Sequence, residues 1–187
     1  LYKDDNKLCE ELETLIYAFD STTIDLCLQL FSWAKFRSKK GAVKLHVLLN
    51  IDGSIPEFIS ITDGSIHDVK AMDELIYKPG AYYLLDKGYV SFKRLYKIET
   101  SKAFFVTRAK VNMGYVVKKI KMHSPSSGAI KDELIELTGH YAFKKYPAIF
   151  RRIEYVDFVS KKKLVFLTNN LDVKDFTVAR LYKQRWQ

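Results

Sequence analysis

Short apolar runs that stop abruptly on an acid or a turn constrain this chain more than any other feature. "LIYAF" (15–19) ends on Asp20, and "AYYLL" (81–85) ends on Asp86. "AVKLHVLLNI" (42–51) meets Asp52-Gly53, a strong hairpin signal, and "PEFISIT" (56–62) is its returning partner. "KAFFVTRA" (102–109) adds another run. Such runs, bounded by turn residues, read as strands. Between them, "HDVKAMDELIY" (67–77) puts Val69, Met72, Leu75 and Ile76 at helical spacing. Ser65 and Asp68 form a capping-box pattern at its start, and Pro79-Gly80 closes it. "SFKRLYKIETS" (91–101) also reads as a helix. The order strand, hairpin pair, helix, strand, helix, strand predicts an α/β sheet with parallel and antiparallel neighbours.

The text changes character after Val111. Up to Val159 it is basic and β-rich, without helical periodicity: "GYVVKKIKMH", "IKDELIELTG", "YAFKKY", "IFRRIEYVDFV". "KLVFLTNN" (163–170) and the segment after it return to an α/β pattern. The expected organisation is a first part of the core over 1–110, an inserted β-rich subdomain over 111–162, and a return to the core over 163–187. A chain of 187 residues suits one domain with such an insertion.

With 31 Lys and Arg against 22 Asp and Glu, the net charge of +9 suits a polyanionic partner, nucleic acid first, although a merely basic protein has the same composition. No apolar run is long enough for a membrane helix, and no leader pattern is visible, so a cytoplasmic location is expected. Cys9 and Cys27 are isolated and read as small buried hydrophobes. Nucleotide-binding glycine motifs are absent, which argues against a nucleotide cofactor.

Asp20 and Asp86 share one context: each follows an apolar strand. A carboxylate there must be solvated, paired or holding a cation, and in open α/β sheets the carboxyl ends of strands are where sites are built. Either could instead be a turn residue or helix cap, Asp20 before "STT" and Asp86 before "KGY".

"DSTTIDL", "KLHVLLNIDGSIPEFISITDGSIHDV", "LLDKGYVSF" and "LYKQRWQ", in this order, resemble bacterial insertion-sequence transposases of the DDE type. The branch in question carries a Tyr-x2-Arg-x3-Glu-x6-Lys motif in its last catalytic helix. The resemblance implies a ribonuclease-H-like mixed sheet flanked by helices, with β-strands inserted between the second and third acids. It also implies that Asp20 and Asp86 are metal-binding catalytic acids, and that Tyr182 and Arg185 are the first two residues of the last motif. The cofactor expected is Mg²⁺ (or Mn²⁺), with two ions in a complete site. The reaction expected is hydrolysis at element ends followed by strand transfer into target DNA, by a homodimer on double-stranded DNA. The motif's glutamate would fall two residues beyond Gln187, so the chain is expected to be a core fragment that is catalytically incomplete.

Basic residues form the expected second site. Lys35, Arg37, Lys39, Lys40 and Lys44 surround the loop before the hairpin, and Lys118, Lys119, Lys121, Lys144, Lys145, Arg151, Arg152 and Lys161–Lys163 stud the insertion. Interleaved with Tyr115, Phe143, Tyr146 and Phe150, they could track a nucleic-acid backbone; Lys39, Lys40, Lys44, Lys118, Lys119, Arg151, Arg152 and Arg185 are the candidates. His46 reads as a core histidine and His67 as a helix-start residue. Two rival functions stay open, a non-catalytic DNA-binding remnant and another ribonuclease-H-like nuclease.

Overall fold

A computed structural model of the chain describes residues 12–26, 35–37, 40–122, 128–157 and 160–186. All five apolar runs are strands. The chain opens with β1 (Ile16–Leu26), β2 (Lys35–Arg37), β3 (Lys40–Asn50) and β4 (Ile55–Asp63). β1 runs antiparallel to β3 from Tyr17↔Asn50 to Leu26↔Gly41, and β4 returns along β3. Their hairpin turn uses Gly53 at φ +86° and Ser54 at φ +53°. Glycine meets the first of these without a Cβ clash. β5 (Tyr82–Leu85) lies parallel to β1, and β6 (Phe104–Arg108) parallel to β5. The order β4-β3-β1-β5-β6, an antiparallel trio joined to a parallel pair, is consistent with a ribonuclease-H-like fold.

The β-rich stretch supplies β7 (Tyr115–Ile120), β8 (Ala129–Leu137) and β9 (Phe150–Val156), followed by β10 (Lys163–Thr168). These extend the same sheet beyond β6, in the order β10, β9, β8, β7, all antiparallel, to give ten strands among the described residues.

Helices α1 (Phe92–Thr100), α2 (His140–Lys145) and α3 (Asp175–Lys183) complete the described elements, with short 3-10 turns. Because side chains alternate along a strand, the central strands serve two cores. Tyr17, Phe19, Tyr83, Leu85 and Phe105 pack with Leu95 and Ile98 of α1 and with Met72. On the opposite face Ile16, Tyr82, Leu84, Val106 and Phe166 pack with Val178, Leu181 and Tyr182 of α3. β5 is buried at all four positions because it needs an apolar side chain on each face.

Four segments depart from expectation. The helix expected over 67–77 is a 3-10 turn, Asp68–Asp73, with no side-chain cap. The Ser65 N–H instead donates to Asp63 Oδ1 (2.7 Å), closing an Asx turn. Further on, Pro79 has no N–H to offer Leu75 O, and Lys97 Nζ of α1 donates instead to Asp73 O (3.0 Å) and Leu75 O (3.3 Å). Ile76 is accordingly 88% exposed. β1 does not stop at Asp20 but runs on to Leu26, because β3 is long enough to pair with it throughout. The basic stretch expected as a loop contributes β2, and "YAFKKY" forms most of α2, entered from Gly139 at φ +86°. Cys9 and Cys27 lie outside the described residues.

Candidate active site

Strand register brings the two aspartates together. Phe19 pairs with Leu85 across parallel β1 and β5, so Asp20 and Asp86 occupy the next position on each. Each lies an even number of residues from an α3-facing side chain: Ile16 before Asp20, Tyr82 and Leu84 before Asp86. The period of two therefore turns both carboxylates toward α3. Arg108 closes β6 two residues after Val106 and joins them on that face.

The last helix completes the site. Val178, Leu181 and Tyr182 seat α3 on the sheet at helical spacing, and Arg185 follows on the 3-10 turn Gln184–Trp186. Arg185 bridges the aspartates, with Nη2 3.3 Å from Asp20 Oδ2 and Nη1 3.3 Å from Asp86 Oδ1. Nη1 also lies 3.2 Å from the Tyr182 hydroxyl. Tyr182 donates to Asp86 Oδ1 at 3.1 Å, and Arg108 Nη2 reaches the same oxygen at 3.3 Å. The Arg185 side chain is 1% exposed, whereas that of Asp20 is 60% exposed and that of Asp86 32%. The four residues predicted as catalytic thus converge, and Arg108 joins them through Asp86, a contact that the sequence reading missed. The signal was present: "FFVTR" ends on a charge as "YYLLD" does.

Burial would raise the Asp86 carboxyl, but the Lys87 and Gly88 backbone N–H groups, Arg185 and Tyr182 together hold it below the usual carboxylate range. Burial pushes the Tyr182 phenol up, only partly countered by Arg185 and Arg108. Asp86 is also the turn cap weighed above: its Oδ2 accepts from Gly88 N at 3.3 Å. The cap and the site use different oxygens, so the two roles coexist.

Two carboxylates on neighbouring strands that already share one cationic partner form a donor set suited to a hard divalent ion. No cluster of three or more His, Cys, Asp or Glu able to hold a metal occurs among the described residues. Glu133 and Glu154 pair with Arg152 at 3.0 and 2.7 Å, and Glu136 with Lys118 at 2.9 Å, rather than with the aspartates. His46 is buried, Nε2 lies 2.8 Å from Thr62 Oγ1, and burial pushes its pKa down. His67 is exposed.

Among the expected DNA contacts, Lys119 is exposed on β7. Lys118 is exposed as well and pairs with Glu136. Lys44 reaches Ile66 O (2.7 Å) and Asp68 (3.0 Å). Arg152 is held by its two glutamates. Arg151 is a correction. Its side chain is 2% exposed and bound to buried Asp132 (2.7 and 2.5 Å) and to the Val173 carbonyl, so it is a core ion pair and not a DNA-facing residue. Lys39 lies outside the described residues; Lys40 begins β3, and its side chain is not described. A pocket of about 430 Å³ has Lys87, Arg108, Lys110, Arg152 and Lys163 among apolar lining residues such as Met113 and Leu164, and shares Arg108 with Asp86.

The pattern of the transposase DDE domain family matches residues 11–187, nearly the whole chain. The chain belongs to the DDE transposase family. Among relatives of this DDE transposase chain, y4zB of Sinorhizobium fredii, which carries a transposase name, is 31% identical over 186 residues, 98% of this chain and 52% of its own. A Geobacillus stearothermophilus protein, named as a transposase for an insertion sequence element, is 28% identical over 173 residues, 89% of this chain and 44% of its own. The chain therefore spans about half the length of the curated relatives it matches. Among its described residues no helix is long and apolar enough to cross a membrane.

Proposed function

We propose that this transposase chain forms the catalytic core that cuts DNA at the ends of an insertion sequence and joins the freed strand to a target. The observation that carries this reading is the convergence of Asp20, Asp86, Tyr182 and Arg185, from two parallel strands and the last helical segment, on one face of the sheet. Asp20 and Asp86 would hold Mg²⁺ or Mn²⁺, which when bound supplies charge stabilisation for the attacking and leaving oxygens of an in-line displacement. Water attacks the scissile phosphorus and the strand leaves as a 3′-hydroxyl; that hydroxyl then attacks a target phosphodiester, one P–O bond forming as another breaks. Arg185, with its planar fork, orients a non-bridging phosphate oxygen. Tyr182 fixes Asp86 through its hydroxyl and flanks the strand. Arg108 holds the same Asp86 oxygen from β6.

In the motif that the last helix resembles, a further carboxylate completes the set. The exposed lysines of β7 and the pocket that shares Arg108 with Asp86 contact the DNA backbone, and the complete protein works as a dimer on paired ends.

The test is nicking of element-end duplex in Mg²⁺ by the chain extended past Gln187 to carry the rest of the motif. Asp20→Asn and Asp86→Asn each lower the rate by about a thousandfold, the scale of a lost metal contact worth several kcal/mol. Undiminished nicking by either variant refutes the assignment. Salt-dependent DNA binding should survive both substitutions, since the phosphate-contacting lysines are untouched. Binding alone, without nicking by the extended chain, would favour a DNA-binding remnant.

A further inference from the structure

Three donors converge on one oxygen of Asp86. Tyr182 Oη lies at 3.1 Å, Arg185 Nη1 at 3.3 Å and Arg108 Nη2 at 3.3 Å, all on Oδ1. A carboxylate oxygen offers two lone-pair directions, so a further partner there must displace one of these. Tyr182 is fixed by burial and by its ring against Phe166 (centroids 5.2 Å apart). Arg108 is rooted in β6 and reaches Asp86 alone of the two aspartates. Arg185 differs from both. It stands on a single 3-10 turn and holds Asp20 and Asp86 at once, so of the three donors it alone stands between the two acids.

We propose that Arg185 is an internal counter-ion, competing with divalent cations for Asp20 and Asp86 until a DNA phosphate draws its guanidinium away. This rests on the metal-dependent reading of the site given above and concerns the order in which it assembles. A guanidinium 3.3 Å from both carboxylates and a divalent ion held by them would be like charges a few ångströms apart, so their occupancies oppose each other. A phosphodiester presents paired oxygens that match the guanidinium fork and replace the two carboxylate contacts. DNA then strengthens metal binding, and by linkage metal strengthens DNA binding to the same degree. A strand-cutting centre loaded in this way acquires its ions only where a phosphate is already seated.

The experiment is calorimetric titration of Mn²⁺ into the 187-residue chain, with and without a short duplex of arbitrary sequence. The wild-type chain binds Mn²⁺ weakly alone and about tenfold more tightly with duplex present. Arg185→Gln binds Mn²⁺ about tenfold more tightly than wild type without duplex, and duplex adds nothing further. Arg185→Lys, whose single ammonium cannot bridge both acids, falls between them and serves if the glutamine variant does not fold. Unchanged or weaker Mn²⁺ affinity in a folded Arg185 variant overturns the proposal. If Asp20→Asn and Asp86→Asn abolish Mn²⁺ binding while the Arg185 variants leave it unaltered, only the competition is wrong. If Mn²⁺ binds equally well without either aspartate, or does not bind at all, the metal-site reading falls together with it.

Discussion

His46 shows how one buried side chain sets a pH limit on the fold. It is fully buried against Phe19, one strand from the site, with burial favouring its neutral form. A lowered folded-state pKa means that the unfolded chain binds the proton more readily. The associated stability is therefore complete above about pH 6.5 and lost as pH falls through the lower folded value. Thermal melting between pH 7.5 and 5 should show this decline, and His46→Gln should flatten it. Asp86 behaves alike in a lower window. Its carboxyl is held below its ordinary value of 3.8, so its contribution is present above that and lost in stronger acid. Asp20 and Asp86 stood out in the sequence because each follows an apolar run, but a turn or cap role stayed open there, and only the ordered likeness to the transposases made both site candidates. Arg108 and the pairing of Arg151 with Asp132 did not stand out. A basic residue ending or lining a strand looks the same in sequence whether it faces solvent, an active carboxylate or a buried partner.

At the scale of elements, the Arg151–Asp132 pair joins strands to the last helix. It links β9 to β8 and, through the Val173 carbonyl, to the turn that enters α3. Both side chains are within 2% of full burial, so water does not screen the pair. Arg151→Met, leaving Asp132 charged and unpaired, should lower unfolding free energy by about 3–5 kcal/mol in urea titration. Arg151→Met with Asp132→Leu should recover most of that loss, because the cost lies in stranding a charge. Strands were the most readable elements, since alternation and turn residues specify them locally. Two other outcomes involve distant neighbours and a third follows from length. Lys97 of α1 holds carbonyls of the helix expected over 67–77, β3 carried β1 past Asp20, and α2 is too short for its periodicity to register.

Among the described residues of the whole molecule, both borders of the sheet carry exposed apolar side chains, Val116, Val117 and Ile120 on β7 and an apolar row on β4. β4 pairs with β3 alone and exposes Ile59 (59%) and Ile61 (66%). An open strand edge bearing such residues invites pairing with another chain. Ile59→Lys combined with Ile61→Lys should raise the concentration at which light scattering appears, with stability changed by no more than about 0.5 kcal/mol per site. At the opposite border, six neighbour-to-neighbour steps separate β1 from β7 in one unbroken sheet. With roughly 20° of right-handed rotation at each step, the outermost strand points more than a quarter-turn away from the strand that carries Asp20. A duplex laid lengthwise on β7 would thus approach the aspartates broadside, and its angle of entry is dictated by the accumulated twist rather than by any loop.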